Sequence, residues 1–126
     1  LYLARLEAIV AELSTDLLAH MRKEEMMLFP AIDELARGDA GRVFPIDGPI
    51  HVMEYEHDHA GSLLEELRVI TGGYHVPDWA CATTRALYQG LAELEAAMHV
   101  HVHLENNVLF PRALDLMRDS STGAEA

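Results

Sequence analysis

Apolar side chains recur along most of this chain at alternating intervals of three and four residues, the spacing of one face of an α-helix. Alternating β-branched runs, which would indicate strands, are nearly absent. The pattern predicts three long helices, running from Leu1 to about Ala36, from Pro49 to Thr71 and from Pro77 to about Met117. Long helices with short connections predict an all-α bundle.

The ends of the pattern bear on how complete this bundle is. Leu1 stands inside the first apolar pattern without a capping Ser, Thr, Asp or Asn before it, and three helices would leave one face of a four-helix bundle uncovered. We therefore expect a four-helix bundle whose first helix is missing, with a three-helix bundle as the alternative. Residues 1–118 are expected to form one N-terminally incomplete domain, and residues 119–126 a polar flexible tail.

Composition narrows the class of partner. A length of 126 residues suits one domain, and a hydrophobic fraction of 50% argues against disorder. Nine Lys and Arg against 21 Asp and Glu give a formal charge of −12, so we expect neither nucleic acid nor a membrane surface as partner. A single cysteine, Cys81, excludes an internal disulfide and a four-cysteine metal site. Because no apolar run approaches ~18 residues and no signal peptide is visible, the expected location is cytoplasmic.

An internal repeat marks two of the predicted helices. The pattern His-x-x-x-Glu-x-x-x-Leu-Phe-Pro occurs at His20–Pro30 and again at His101–Pro111. A spacing of four residues brings the His and the Glu within ~40° of each other on one helix face. Since proline has no amide donor, each helix is expected to kink or end there.

Five ionisable residues stand at positions that the apolar pattern assigns to the bundle core. The inward stripes are Leu6, Val10, Leu13, Leu17, His20, Glu24 and Met27 in the first helix, Ile50, Met53, His57, Ala60, Leu64 and Leu67 in the second, and Leu87, Leu91, Leu94, Met98, His101, Glu105 and Val108 in the third. Burying one polar group without a partner costs roughly 2–7 kcal/mol, and a domain is stable by only ~5–15 kcal/mol in total.

These five groups could be compensated by one another, by water or by a bound cation. Three imidazoles and two carboxylates from three helices favour the cation. Mixed imidazole and carboxylate ligands suit Fe, Mn or Zn, and two glutamates that can each bridge two ions favour a dinuclear iron or manganese centre over one zinc ion.

Three segments resemble a known family. HMRKEEMMLFP, PIHVMEYEHDHAG and HVHLENNVLFPRAL are similar to the last three helices of a hemerythrin-like domain, above all to the di-iron proteins implicated in iron–sulfur cluster repair (the repair of iron centres, or RIC, family). The resemblance extends from about Leu13 to Leu114. It implies an up-down four-helix bundle holding two non-heme irons, bridged by an oxo or hydroxo group and by two glutamates.

Carried over position by position, the resemblance implies roles for six residues. Glu24 and Glu105 become the bridging carboxylates, and His20, His57 and His101 become terminal ligands. Glu56 falls at an acidic position of the family that supports the ligands without binding metal. Iron is implied in preference to Mn or Zn.

The family's first helix supplies two further histidines, and this sequence starts after the place where they would lie. A complete centre would take them from a missing segment or from a partner chain, for example in a dimer with helix exchange, and this chain alone would be under-occupied with iron. The other histidines are expected to be solvated or to lie behind the ligands, with ligation by His51 or His59 as the alternative; they are His51, His59, His99 and His103, and His75 in an exposed loop.

The function that the resemblance implies is a stress response. A di-iron protein of this type would act on damaged iron–sulfur clusters by iron donation or nitric oxide chemistry, with O₂, NO or peroxide as small ligands and iron–sulfur proteins as partners. The alternatives are a hemerythrin-like O₂-binding or redox-sensing module without turnover, and a metal-free bundle whose buried polar groups bond to one another.

Overall fold

The computed structural model describes residues 2–38 and 45–125, with side chains up to residue 119; Leu1, residues 39–44 and Ala126 lie outside the described residues. The described chain is helical and contains no strand. Its elements are α1 (Tyr2–Lys23), a first π turn (Glu24–Leu28), α2 (Phe29–Ala36), α3 (Asp47–Ile70), α4 (Ala82–Leu104), a second π turn (Glu105–Leu109) and α5 (Phe110–Glu125). Because each π turn joins its flanking helices without a break, the chain forms the three long helical segments that the sequence predicts. None of the described helices has both the length and the apolar character needed to cross a membrane.

The segment boundaries follow local chemistry. The second segment ends before Gly72 and Gly73, whose φ angles of 61° and 75° favour glycine. The third begins at Ala82 and not at Pro77, because residues 77–80 form a turn in which the Ala80 N–H donates to the Pro77 carbonyl at 3.0 Å. That segment continues to Glu125, across the domain boundary expected at residue 118.

Neither repeat proline ends its helix. In each repeat a π turn precedes the proline, and the Phe29 and Phe110 N–H groups donate to the carbonyls of Glu24 and Glu105, five residues earlier. Proline has no N–H, and its ring crowds the carbonyl four residues before it, so a wider turn accommodates it without ending the helix.

The π turns correct two positions of the predicted inward stripes. Met27 and Val108 were expected to face the core, but they are 53% and 42% exposed. A π turn takes up one residue more than an α turn, so the inward position after Glu24 passes to Leu28, which is 1% exposed. The prediction that Leu87 faces the core was also wrong. Leu87 is 40% exposed, because the larger Tyr88 ring fills the inward position one residue later.

The core consists of two apolar clusters. α1 packs along α3, and α2 packs against α5. The first cluster comprises Leu6, Ile9, Leu13, Ala60, Leu63, Leu64, Leu67, Tyr88, Leu91 and Met98. The second comprises Leu28, Ala31, Ile46, Ile50, Met53, Phe110 and Ala113. The inward stripe predicted for α3 is buried at every position. Between the clusters along the helices lies a band of buried polar residues.

A third buried carboxylate, besides Glu24 and Glu105, was not singled out by the sequence analysis and is held by Tyr74, which packs against the first cluster. Glu95 is 5% exposed and accepts hydrogen bonds from Arg68 Nε at 2.9 Å and from the Tyr74 hydroxyl at 2.6 Å. Tyr74 is in turn held at φ 63°, where its N–H donates to Thr71 Oγ1 at 3.0 Å. Glu95 therefore ties the loop after α3 to α4.

Candidate metal centre

The buried polar band brings together five of the predicted site residues. They are His20 of α1, Glu24 of the first π turn, His57 of α3, His101 of α4 and Glu105 of the second π turn. Each offers one nitrogen or oxygen atom, and these five atoms all lie within 4.8 Å of one another. The two repeats thus place a His and a Glu at equivalent heights, and α3 adds the third imidazole between them.

The Nε2 atoms point at carboxylate oxygens. His20 Nε2 lies 2.7 Å from Glu24 Oε1, and the Nε2 atoms of His57 and His101 lie 2.9 and 3.0 Å from Glu105 Oε1. His20 Nε2 and His57 Nε2 are 3.2 Å apart. A second contact of 3.5 Å joins His101 Nε2 to Glu24 Oε1, so both carboxylates face the same small space.

These short distances do not satisfy the buried oxygens. Glu24 Oε1 and Oε2, Glu105 Oε1 and His101 Nε2 are buried and lack an aligned hydrogen-bond partner. In the described part of the chain, the Tyr2 hydroxyl is the only other buried side-chain polar atom in that condition. Buried polar atoms are almost always satisfied, so a cluster of unpaired acceptors indicates a missing positive group.

The outer ring nitrogens of two imidazoles are held from behind. His20 Nδ1 lies 2.8 Å from Glu56 Oε1, and His57 Nδ1 lies 2.9 Å from Asn106 Oδ1. Lys23 Nζ contacts Glu56 Oε2 in turn. Because the carboxylate and amide oxygens accept, each Nδ1 donates and each neutral ring turns its Nε2 lone pair inward. This arrangement of a metal-binding histidine backed by an acceptor is common in proteins.

Glu56 lies at the position that the resemblance implied, behind a ligand candidate. Lys23 and Asn106 were missed by the sequence analysis. The signal for Asn106 was its place directly after Glu105 in the repeat, where the first repeat has Glu25.

Burial and mutual contacts shift the pKa values in this cluster. Burial would raise the pKa of Glu24, but contacts with His20 and Glu105 and the electrostatic interactions with His20 and His101 lower it to about 2. Burial raises the pKa of Glu105, and the contact with His57 opposes this rise. The negative charge of Glu24 raises the pKa further. Burial would lower the pKa of His20, but Glu24 and Glu56 raise it. The pocket therefore attracts positive charge, as protons or as a metal ion that displaces them.

The remaining histidines lie outside this cluster. His51 has a side chain that is 80% exposed, and His75, His99 and His103 are also exposed. His59 lies at the surface, with its Nε2 3.3 Å from both Glu12 and Asp16. The structure therefore does not support ligation of the centre by His51 or His59 in place of other residues.

The comparison with protein families supports a cation site. A family model described as "Hemerythrin HHE cation binding domain" matches residues 2–113 of this chain, which include all five clustered residues. The chain belongs to the hemerythrin HHE family. The imidazoles, carboxylates and unpaired acceptors of this hemerythrin HHE domain are thus groups of the kind that bind metal ions in a helical bundle.

Relatives of this hemerythrin HHE domain include bacterial proteins named for cluster repair. The chain is 50% identical over 99 residues to the iron-sulfur cluster repair protein YtfE of Dickeya chrysanthemi, which is 79% of this chain and 42% of the relative. It is 46% identical over 110 residues to YtfE of Pectobacterium atrosepticum (87% and 45%) and 47% identical over 111 residues to YtfE of Yersinia pseudotuberculosis (88% and 46%). The chain spans less than half the length of these curated relatives.

Proposed function

We propose that this hemerythrin HHE domain holds a dinuclear non-heme iron centre. Glu24 and Glu105 would bridge the two ions, and His20, His57 and His101 would be terminal ligands. The supporting observation is the set of buried, unpaired acceptor atoms on both glutamates, which face the same space as three imidazoles. Two facing carboxylates with inward histidines suit paired iron ions better than one zinc ion. The family resemblance favours iron over manganese.

The proposal includes ligands from outside the described residues. The His101 side chain is 26% exposed, whereas the Glu24 and His20 side chains are 0% and 3% exposed, so the cluster is open on the His101 side. Two further histidines, from another segment or a partner chain, would close it.

The proposed role is iron–sulfur cluster repair in the cytoplasm under oxidative or nitrosative stress, by iron donation or nitric oxide chemistry. It is supported by the names of relatives that are 46–50% identical over most of this chain. Bound iron would supply a Lewis acid and reversible electron transfer. The chain's own residues would orient the ligands through Glu56 and Asn106 and exclude water with the apolar clusters on either side.

Small ligands have a route to the cluster. A cavity of about 350 Å³ lies between α1 and α3, and its lining joins the exposed Glu12 and His59 to the buried His20 and His57. O₂, NO or peroxide could reach the centre by this route. The cavity equally favours the second candidate function, a module that binds O₂ reversibly or senses redox state.

Metal content tests the centre. Full-length protein purified without chelators should contain about two iron ions per chain. Glu24→Gln should lose most of this iron, because it replaces a buried charged acceptor, whereas Glu25→Gln should keep it, because Glu25 is exposed. Less than about one metal ion per chain in the unaltered protein would contradict the proposal and favour a metal-free bundle.

Cellular recovery tests the role. Cells carrying Glu105→Leu should fail to restore the activity of an iron–sulfur enzyme after nitric oxide exposure, whereas cells carrying Glu25→Leu should recover. Full recovery with Glu105→Leu would contradict a repair role. A stable oxygenated form with a charge-transfer band would support reversible O₂ binding instead, and rapid autoxidation would count against that alternative.

A further inference from the structure

His57 is contacted at both ring nitrogens by two consecutive residues of the second π turn. Glu105 Oε1 lies 2.9 Å from Nε2, and Asn106 Oδ1 lies 2.9 Å from Nδ1. The His57 ring also stacks on Phe110 with an interplanar angle of 5° and a centroid distance of 6.0 Å. One short segment thus contacts His57 at both nitrogens and on one face.

The asparagine determines which nitrogen of a neutral His57 carries the proton. An imidazole has one donor and one acceptor nitrogen when neutral, and the amide oxygen of Asn106 accepts. The proton is therefore held on Nδ1, and Nε2 presents a lone pair to the space shared with Glu24 and His20. Unlike the Glu56 carboxylate behind His20, the amide fixes this tautomer without adding a negative charge.

We infer that Asn106 is a positioning residue of the metal centre, which prepares His57 as a ligand by holding the proton on Nδ1 and fixing the ring plane. This inference rests on the proposed metal centre and names a residue that is not among the shared positions of the repeat and to which the family resemblance assigns no role. Asn106 contacts the outer nitrogen of His57, so it would act on a bound ion only through that ring.

The neighbouring asparagine provides a matched control. Asn107 Nδ2 lies 3.1 Å from His103 Nδ1, but both residues are exposed and His103 is outside the cluster. The same substitution at residues 106 and 107 therefore removes an asparagine contact to a ring Nδ1 from a histidine inside the cluster, where the amide oxygen accepts, and from one outside it, where the amide nitrogen donates.

Three variants of the full-length protein separate positioning from packing. Asn106→Leu keeps the side-chain size but removes the acceptor, and it should weaken Fe²⁺ binding by roughly 10- to 100-fold in anaerobic competition with a chromophoric chelator. Asn106→Asp keeps the acceptor and should keep the affinity. Asn107→Leu should bind as the unaltered protein does.

Nitrogen NMR of the metal-free protein gives a second readout. The His57 ring should show the Nδ1–H tautomer in the unaltered protein and in Asn106→Asp, and should gain the Nε2–H tautomer in Asn106→Leu. A role in packing alone would favour the apolar Leu over the charged Asp, the opposite order. Should Asn106→Leu fail to fold, Asn106→Ser carries the same expectation, because its side chain is too short to reach Nδ1.

The results of these experiments separate the positioning role of Asn106 from the metal centre itself. Unchanged affinity in Asn106→Leu, or equal losses in Asn106→Leu and Asn106→Asp, would overturn the positioning role while leaving the metal centre intact. Absence of Fe²⁺ binding in the unaltered protein would overturn the metal centre, and the positioning role with it.

Discussion

At the residue scale, neighbours in this chain have sharply different environments. Glu24 has no exposed surface and lies among imidazoles, whereas Glu25 is exposed. Asn106 contacts a buried histidine, whereas Asn107 contacts an exposed one. Residue type alone does not separate the members of such pairs, because their chemistry depends on the helix face they occupy.

Cys81 illustrates a local effect that does not depend on the core. The exposed thiol stands directly before α4, with Sγ 3.5 Å from Thr84 Oγ1. Hydrogen bonds from the Thr84 side chain and from backbone N–H groups at the helix start lower the pKa of this thiol to about 7. We expect its alkylation by iodoacetamide to reach half its maximal rate near pH 7.

The two threonines after Cys81 provide the comparison. Thr84→Val should move the alkylation midpoint to higher pH, because the hydroxyl contact is lost. Thr83→Val should leave the midpoint unchanged, because Thr83 acts on the thiol through its backbone alone. A midpoint near the ordinary thiol value of 9.0 in the unaltered protein would contradict the expectation.

At the element scale, the π turns set the register of everything that follows them. After Glu24, the first π turn buries Leu28 and leaves Met27 at the surface. Leu28→Ala should therefore reduce the free energy of unfolding by about 2–5 kcal/mol, and Met27→Ala should change it by less than about 0.5 kcal/mol. Urea denaturation measures both values, and similar costs at the two positions would argue against the π turn.

The Glu95 network connects two elements and predicts a pH dependence. Burial would raise the pKa of Glu95, but hydrogen bonds from Arg68 and Tyr74 lower it below its usual value of 4.5. Since the folded-state pKa is below the unfolded one, this contribution is complete above pH ~4.5 and is lost as the pH falls through the folded-state value. Glu95→Gln should cost about 1–2 kcal/mol at pH 7, with the partial exposure of Arg68 taken into account.

The difference between Glu95→Gln and the unaltered protein should shrink as the pH is lowered below about 4.5. Glu93→Gln, on an exposed position of the same helix, should show no such difference. Thermal unfolding monitored by circular dichroism from pH 3 to pH 7 measures the comparison. A constant difference across this range would mean that the charge of Glu95 is not what stabilises the loop.

At the scale of the whole molecule, the polar band interrupts the core between two apolar clusters. Each segment brings a charged or ionisable group into this band, so a bound cation would tie all three segments together. Removing metal from the full-length protein with a chelator should therefore lower the unfolding midpoint by roughly 10 °C, if metal was present at about 100 times its dissociation constant.

The same measurement on variants shows whether the site causes the change. The unfolding midpoint of Glu24→Gln should be the same with and without chelator, whereas that of Glu25→Gln should fall on chelation as it does in the unaltered protein. A chelator effect that survives in Glu24→Gln would place the stabilising metal outside the five-residue cluster.

The sequence by itself determined the helical segments, the repeat and the residues that meet at the candidate centre. Helical spacing is a local property: once His20 and His101 stand in register with apolar neighbours, burying those neighbours also turns both histidines inward, although the His101 side chain stays 26% exposed. For α3, every predicted inward position is buried. The stop before Gly72 likewise follows from the glycine's own conformational freedom.

Only the tertiary structure decided which residues stand behind the ligands and how the inward stripes continue through the π turns. Leu28 replaces Met27 because the width of a turn, and not the order of residues, sets the inward face. Asn106 and Glu95 gained partners on α3 and on the loop after it, from residues distant in sequence. Such contacts depend on which elements come to lie opposite each other, and helical periodicity carries no information about that.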